Sequence, residues 1–115
     1  METNITTPVK ILLECQEIMS KKSRDYQNPN SRIRQADYYP NGVKTILDII
    51  QAKILRLYSV VEAMENDPNY KPNFESLEDS FKDAINYAAF GASYLKHGID
   101  GQTPERDFLN RKVAA

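Results

Sequence analysis

Between residues 43 and 65, apolar side chains recur every three or four positions, at Val43, Ile46, Leu47, Ile50, Ile54, Leu57, Tyr58 and Val61. Only a helix of 3.6 residues per turn gathers such positions on one side, because a strand scatters them over both faces. Pro40-Asn41-Gly42 ahead of this run is turn chemistry. No segment alternates with period two, so the expected fold class is all-α.

Two further helices are expected to flank this one. Thr7-Pro8 supplies an N-cap followed by proline at the first helical position. A helix is expected over residues 8–22, with Val9, Leu12, Leu13, Cys15 and Met19 inward. A third helix is expected from Asn73 as N-cap to His97, with Gly98 just past its end. Thr103-Pro104-Glu105 is one more start signal, for a short helix through Lys112 docked by Phe108 and Leu109. The chain therefore reads as a single helical domain over 1–115, with its core at 8–97 and a tail at 98–115. The architecture expected is a small helical bundle of three long helices plus a short C-terminal helix. Ile49, Leu55 and Val60 fall outside the main apolar face of the second helix. Three helices leave such side chains uncovered, and each is worth about 1.5–3 kcal/mol when buried, so a homo-oligomer is expected.

Charge and cysteine usage exclude several functions. A formal net charge of -1 is too low for a duplex nucleic-acid binder, which carries a strong basic excess. One cysteine, Cys15, and one histidine, His97, exclude an intramolecular disulfide and a His/Cys metal centre. Any metal must be held by carboxylates, which favours Mg²⁺, Mn²⁺ or Ca²⁺. No apolar run is long enough to cross a membrane, and the N-terminus lacks a charged-then-apolar layout. A cytoplasmic location is expected.

The chemistry concentrates in three places. On the third helix Glu75, Asp79 and Asp83 fall at i, i+4 and i+8, with Asn86 on the same side and Leu77, Phe81, Ala84, Ile85 and Ala88 opposite. Like charges at i,i+4 destabilise a helix by roughly 0.2–0.5 kcal/mol per pair. A bound cation, a neighbouring Lys or Arg, or solvent must offset that. On the second helix Lys53 and Arg56 share a narrow stripe with Ile49 and Val60 beside the apolar face. Half-buried cations need partners, and Glu75, Asp79 or Asp83 can supply them. The stripe is then an interhelical salt-bridge network, a grip on phosphate, or both. Asp48 and Gln51 could add oxygens to a metal ion from this helix. The third place is residues 23–39, expected as a long loop with a short helix near 31–36. Lys21, Lys22, Arg24, Tyr26, Arg32, Arg34, Tyr38 and Tyr39 lie in or beside it. Arginine forks suit phosphate and tyrosine faces suit a base. The alternative is a solvated loop whose tyrosines cover the bundle end.

Three runs together resemble a known pattern: Lys22-Ser23-Arg24-Asp25-Tyr26, then Lys53-x-x-Arg56-Leu57, then Glu75-Ser76-x-x-Asp79-x-x-x-Asp83-x-x-x-Tyr87. They resemble the small nucleotide-modification-associated domains of bacteriophages, which are similar to the all-α nucleoside triphosphate pyrophosphohydrolases of the MazG type. The resemblance covers roughly residues 8–96. It implies a phage protein in the host cytoplasm, a bundle that dimerises or tetramerises, and Mg²⁺ held by acidic pairs on two helices. It also implies hydrolysis of a nucleotide to monophosphate and pyrophosphate. The ligand-binding set expected is Lys22, Arg24, Tyr26, Arg32, Arg34, Lys53, Arg56 and Tyr87; the metal set is Glu75, Asp79 and Asp83, with Asp48. The chain departs from the pattern where Asp48 and Gln51 replace a paired-glutamate motif, where Asp79 and Asp83 are four apart rather than three, and where Gln27 replaces a glycine. Three functions follow: a nucleotide-binding protein with weak or no catalysis that sequesters a nucleotide or a signal derived from one; an active Mg²⁺-dependent pyrophosphohydrolase; and a structural or protein-inhibitor bundle.

Overall fold

The computed structural model describes residues 6–73 and 75–104. Helix α1 spans Thr7–Tyr26, α2 spans Val43–Asn66 and α3 spans Leu77–Leu95, with a 3-10 turn at Gln35–Tyr38. Among the described residues there is no strand, and no helix is long and apolar enough to cross a membrane. Helix α3 is central: α2 lies along most of it and α1 covers a shorter stretch. The short helix expected after Thr103 falls outside the described residues.

Helix α1 begins one residue earlier than expected, with Thr6 as the extended N-cap, and runs on past Lys22. Arg24 and Tyr26 therefore stand on a helix rather than in a loop. Cys15 is its one buried residue, with Ile11, Ile18 and Met19 half-buried on the same arc. Val9, Leu12 and Leu13, expected inward, are exposed. They point a quarter to a half turn away from the arc that meets α3. The buried Asn86 amide on α3 locks that arc by donating to the Cys15 carbonyl at 3.1 Å.

Helix α2 keeps its expected bounds, but its inward face is turned. Val43, Ile46, Leu57 and Val60 are buried, and Ile49 and Ile50 pack against the core. Leu47, Ile54, Leu55, Tyr58 and Val61 are exposed. The stripe of Ile49, Lys53, Arg56 and Val60 faces α3, and much of the more apolar arc faces outward. The cations decide this rotation, because their anionic and hydroxyl partners lie on α3 and the segment just before it.

Helix α3 starts at Leu77, not near Asn73. Ser76 is the N-cap: its hydroxyl accepts the Asp79 N–H at 3.0 Å, while the Asp79 carboxylate accepts the Ser76 N–H at 3.4 Å. This reciprocal box satisfies two donors that a helix start leaves unpaired. Glu75 is thus outside the helix, and the expected stripe of Glu75, Asp79 and Asp83 is broken at its first member. At the other end the His97 N–H bonds the Tyr94 carbonyl and the Gly98 N–H bonds Ser93, the Schellman pattern. His97 takes the left-handed conformation, φ 59°, rather than the expected Gly98. Gly98 is needed for space, since a Cβ there would lie 2.6 Å from the Ser93 hydroxyl.

The core sits at one end of the α2–α3 seam. Ala36, Tyr39, Val43, Ile46, Tyr94 and Ile99 form it, with Tyr87 and Phe90 packed beside them. Toward the opposite end the seam becomes polar, and there the charged residues meet.

Candidate functional site

Because α2 and α3 run antiparallel, Lys53 and Arg56 come level with the start of α3. The Lys53 ammonium reaches Asp83 Oδ2 at 3.0 Å and Glu75 Oε1 at 3.4 Å. The second Asp83 oxygen lies 3.5 Å from the Lys22 ammonium of α1. One carboxylate thus joins all three helices. Burial alone would lower the Lys53 pKa, but the hydrogen bonds and charges of Asp83 and Glu75 outweigh it and hold it above its ordinary value.

Arg56 makes no ion pair among the described residues. It donates to the Ser80 hydroxyl at 2.6 Å and to the Glu75 backbone carbonyl. Ser80, fully buried, donates in turn to the Glu75 carboxylate at 2.7 Å. Arg56 therefore pins the segment before α3 by its main chain and orients Glu75 through a hydroxyl. Lys82 lies beside this cluster with Glu14 and Glu78, each at 2.7 Å, and their hydrogen bonds raise its pKa strongly.

An open cleft of about 340 Å³ lies over this cluster, lined by Ile18, Lys22, Glu75, Asp79, Lys82 and Asp83. One turn further along α1 and α3 it gives way to an aromatic group. Tyr26 meets Tyr38 edge-to-face at 4.9 Å and Phe90 at 6.3 Å, and Tyr87 meets Phe90 at 5.5 Å. Burial, then the hydrogen bond with Tyr87, pushes the Tyr26 hydroxyl up to about 12.

The structure therefore gathers Lys22, Lys53, Arg56, Glu75, Asp79 and Asp83 at one place, with Tyr26 and Tyr87 adjoining. It does not gather the rest of the expected set. Arg24 and Arg32 are exposed. Arg34 is turned to Asp100 at 3.5 Å. Asp48 is exposed on α2 and lines none of the cleft. Lys82 and Ser80 were not among the expected residues. The i,i+4 spacing of Glu78 and Lys82 marks the lysine; nothing in the spacing marks the serine.

Among the described residues no three acidic, histidine or cysteine side chains converge as a metal-holding group. An ion shared by Glu75 and Asp83 would stand where the Lys53 ammonium stands, and Asp79 is engaged in its cap. The Glu75 and Asp83 carboxylates, as placed, are compensated by Lys53 and Lys22 of the chain itself.

Comparison with protein-family models, curated proteins and solved structures finds no match for this chain.

Proposed function

We propose that this chain binds a phosphorylated nucleoside in the cleft between α1 and α3, with little or no turnover, as a cytoplasmic homo-oligomer. One observation carries the reading: half-buried Lys53 and Asp83 and exposed Lys22, one from each helix, meet at one cleft while large apolar side chains of α1, α2 and α3 face outward. A bundle selected for stability alone does the reverse, and such inversions belong to functional sites. The cleft suits a ligand with a polyanionic end and a flat end. Lys22 and Lys82 stand at its polar part, and the Tyr26–Tyr38 pair offers ring surface beyond.

Its lining sets two lysines against three carboxylates. A bare polyphosphate is repelled by that balance; Mg²⁺ brought in on the phosphate oxygens would relieve the repulsion without displacing Lys53 from Glu75 and Asp83. The opening of Glu75, Asp79 and Asp83 onto one cleft also favours a second reading, a Mg²⁺-dependent pyrophosphohydrolase, in which those carboxylates serve turnover. Both readings suit a phage protein working in its host.

A thermal-shift screen of nucleotides and cyclic nucleotides, with and without millimolar Mg²⁺, tests the proposal, with pyrophosphate release followed in parallel. Stabilisation that needs nucleotide and Mg²⁺ together, without pyrophosphate, supports binding. Steady pyrophosphate release selects the second reading. Equal melting curves under all conditions would leave the network as structure only.

A further inference from the structure

We infer that the outward face of α2 is the contact between two copies of this chain, with the two α2 helices antiparallel. This stands apart from what the cleft binds, and it gives the self-association proposed above a face and a direction. Leu47, Ile54 and Val61 are spaced by seven and share one side with Tyr58; Leu55 flanks them. All five are exposed, Tyr58 at 72 % and Leu47 at 58 %. Phe81 of α3, 56 % exposed, stands beside them and closes an apolar groove of about 280 Å³ with Ile54, Leu57, Tyr58 and Val61. That volume exceeds what one aromatic side chain occupies, so Tyr58 of a second copy is a candidate to enter it.

The charges on this face choose the occupant and its direction. Lys44 lies at its N-terminal end, Glu62 and Glu65 at its C-terminal end, and all three are exposed with no ion pair to another described residue. Asp48 stands about a quarter turn aside. Two parallel copies would set Lys44 against Lys44 and the glutamates against each other. Two antiparallel copies set each Lys44 against the glutamates of the other and also oppose the helix dipoles favourably. The face is thus complementary to itself in one direction only. It extends about 21 Å from Leu47 to Val61, at 1.5 Å per residue. Lys53 and Arg56 lie on the far side of α2, so the contact leaves the cleft open.

The test uses the full chain. Light scattering at micromolar concentration should return twice the 13.2 kDa of one copy; the mass of one copy would overturn the inference and give the face to another occupant, such as the chain's own last residues. Tyr58→Glu should yield a helical monomer by circular dichroism, and a dimer of unchanged Kd in that variant would overturn it too. Lys44→Glu should weaken the dimer about tenfold, and adding Glu62→Lys and Glu65→Lys should restore it. Mixed Lys44→Cys and Glu65→Cys chains should cross-link to each other and not to themselves. A Lys44→Cys homodisulfide would overturn the antiparallel arrangement. Nucleotide-induced shifts should persist in the Tyr58→Glu monomer, which separates failure of this contact from failure of the cleft.

Discussion

The Lys53 ammonium lies 3.0 Å from Asp83, whose other oxygen faces Lys22 at 3.5 Å, so a single carboxylate is shared by α1, α2 and α3. The Lys53 and Asp83 side chains are only 25 % and 19 % exposed. Removing one partner of such a pair strands the other away from full hydration, whereas removing both does not. Asp83→Asn and Lys53→Met should each destabilise the fold by about 1–3 kcal/mol, less than the 3–5 kcal/mol of a fully buried pair. The double variant should cost less than the sum, by at least about 0.5 kcal/mol. Urea denaturation of the four proteins measures this; strict additivity would show that the two residues are independent.

The same network dictates behaviour in alkali. The folded state raises the Lys53 pKa above 10.5, so its contribution is complete below that value and is lost as pH climbs through the folded pKa. Tyr26, raised from 10.0 to about 12, must stay protonated while buried, which adds a loss of stability between those two values. Stability should therefore fall above about pH 10. In Tyr26→Phe the fall should be shallower, and the tyrosinate absorbance should lose a component titrating near 12. An identical alkaline limb in wild type and Tyr26→Phe would remove this tyrosine from the account.

Ser76 and Asp79 make the start of α3. Ser76→Ala should cost about 1 kcal/mol, in line with other N-cap losses, and Asp79→Asn less, since the shorter and stronger bond is the one the serine accepts. Were Asp79 chiefly a repelled member of an acidic stripe, Asp79→Asn would instead stabilise the protein. Thermal melts without metal distinguish the two.

Much of this arrangement is readable from residue order. The bounds of α2 follow from Gly42 and a long periodic run, and cations set beside an apolar seam call for partners among Glu75, Asp79 and Asp83; Lys53 takes Glu75 and Asp83, while Arg56 takes the Ser80 hydroxyl and the Glu75 carbonyl instead. The rotation of α2 does not. Periodicity reveals two separate arcs, one through Leu47, Ile54 and Tyr58, the other, about 140° round the helix, through Ile49, Lys53 and Val60. It says nothing of which one a chain keeps for itself. The structure keeps the charged arc, because only α3 and its approach carry the partners, and leaves the greasier one outside. The start of α3 expected at Asn73 is displaced for a similar reason: Asp79 closes the box three residues after Ser76, and Arg56 holds the Glu75 carbonyl outside the helix. Arg34 turns away from the cleft because Asp100, which holds it, lies far along the chain, where local patterns carry no information.

The docking of α1 rests on a small number of contacts, and Asn86 is the one most open to test. Its amide donates to the Cys15 carbonyl at 3.1 Å and is buried, so Asn86→Ala loses a buried hydrogen bond and leaves a small void. A loss of about 1–2 kcal/mol is expected. Cys15 reports the same event directly. Its thiol is 2 % exposed, and burial pushes its pKa above 9.0, so it reacts with an alkylating reagent only when α1 lifts from α3. With the amide gone, that opening should become about 5–30 times more frequent. Native-state alkylation of Cys15, followed by mass spectrometry, should accelerate by the same factor in Asn86→Ala and not in the surface variant Tyr58→Glu. Equal labelling rates in wild type and Asn86→Ala would mean that α1 is held by its apolar arc alone.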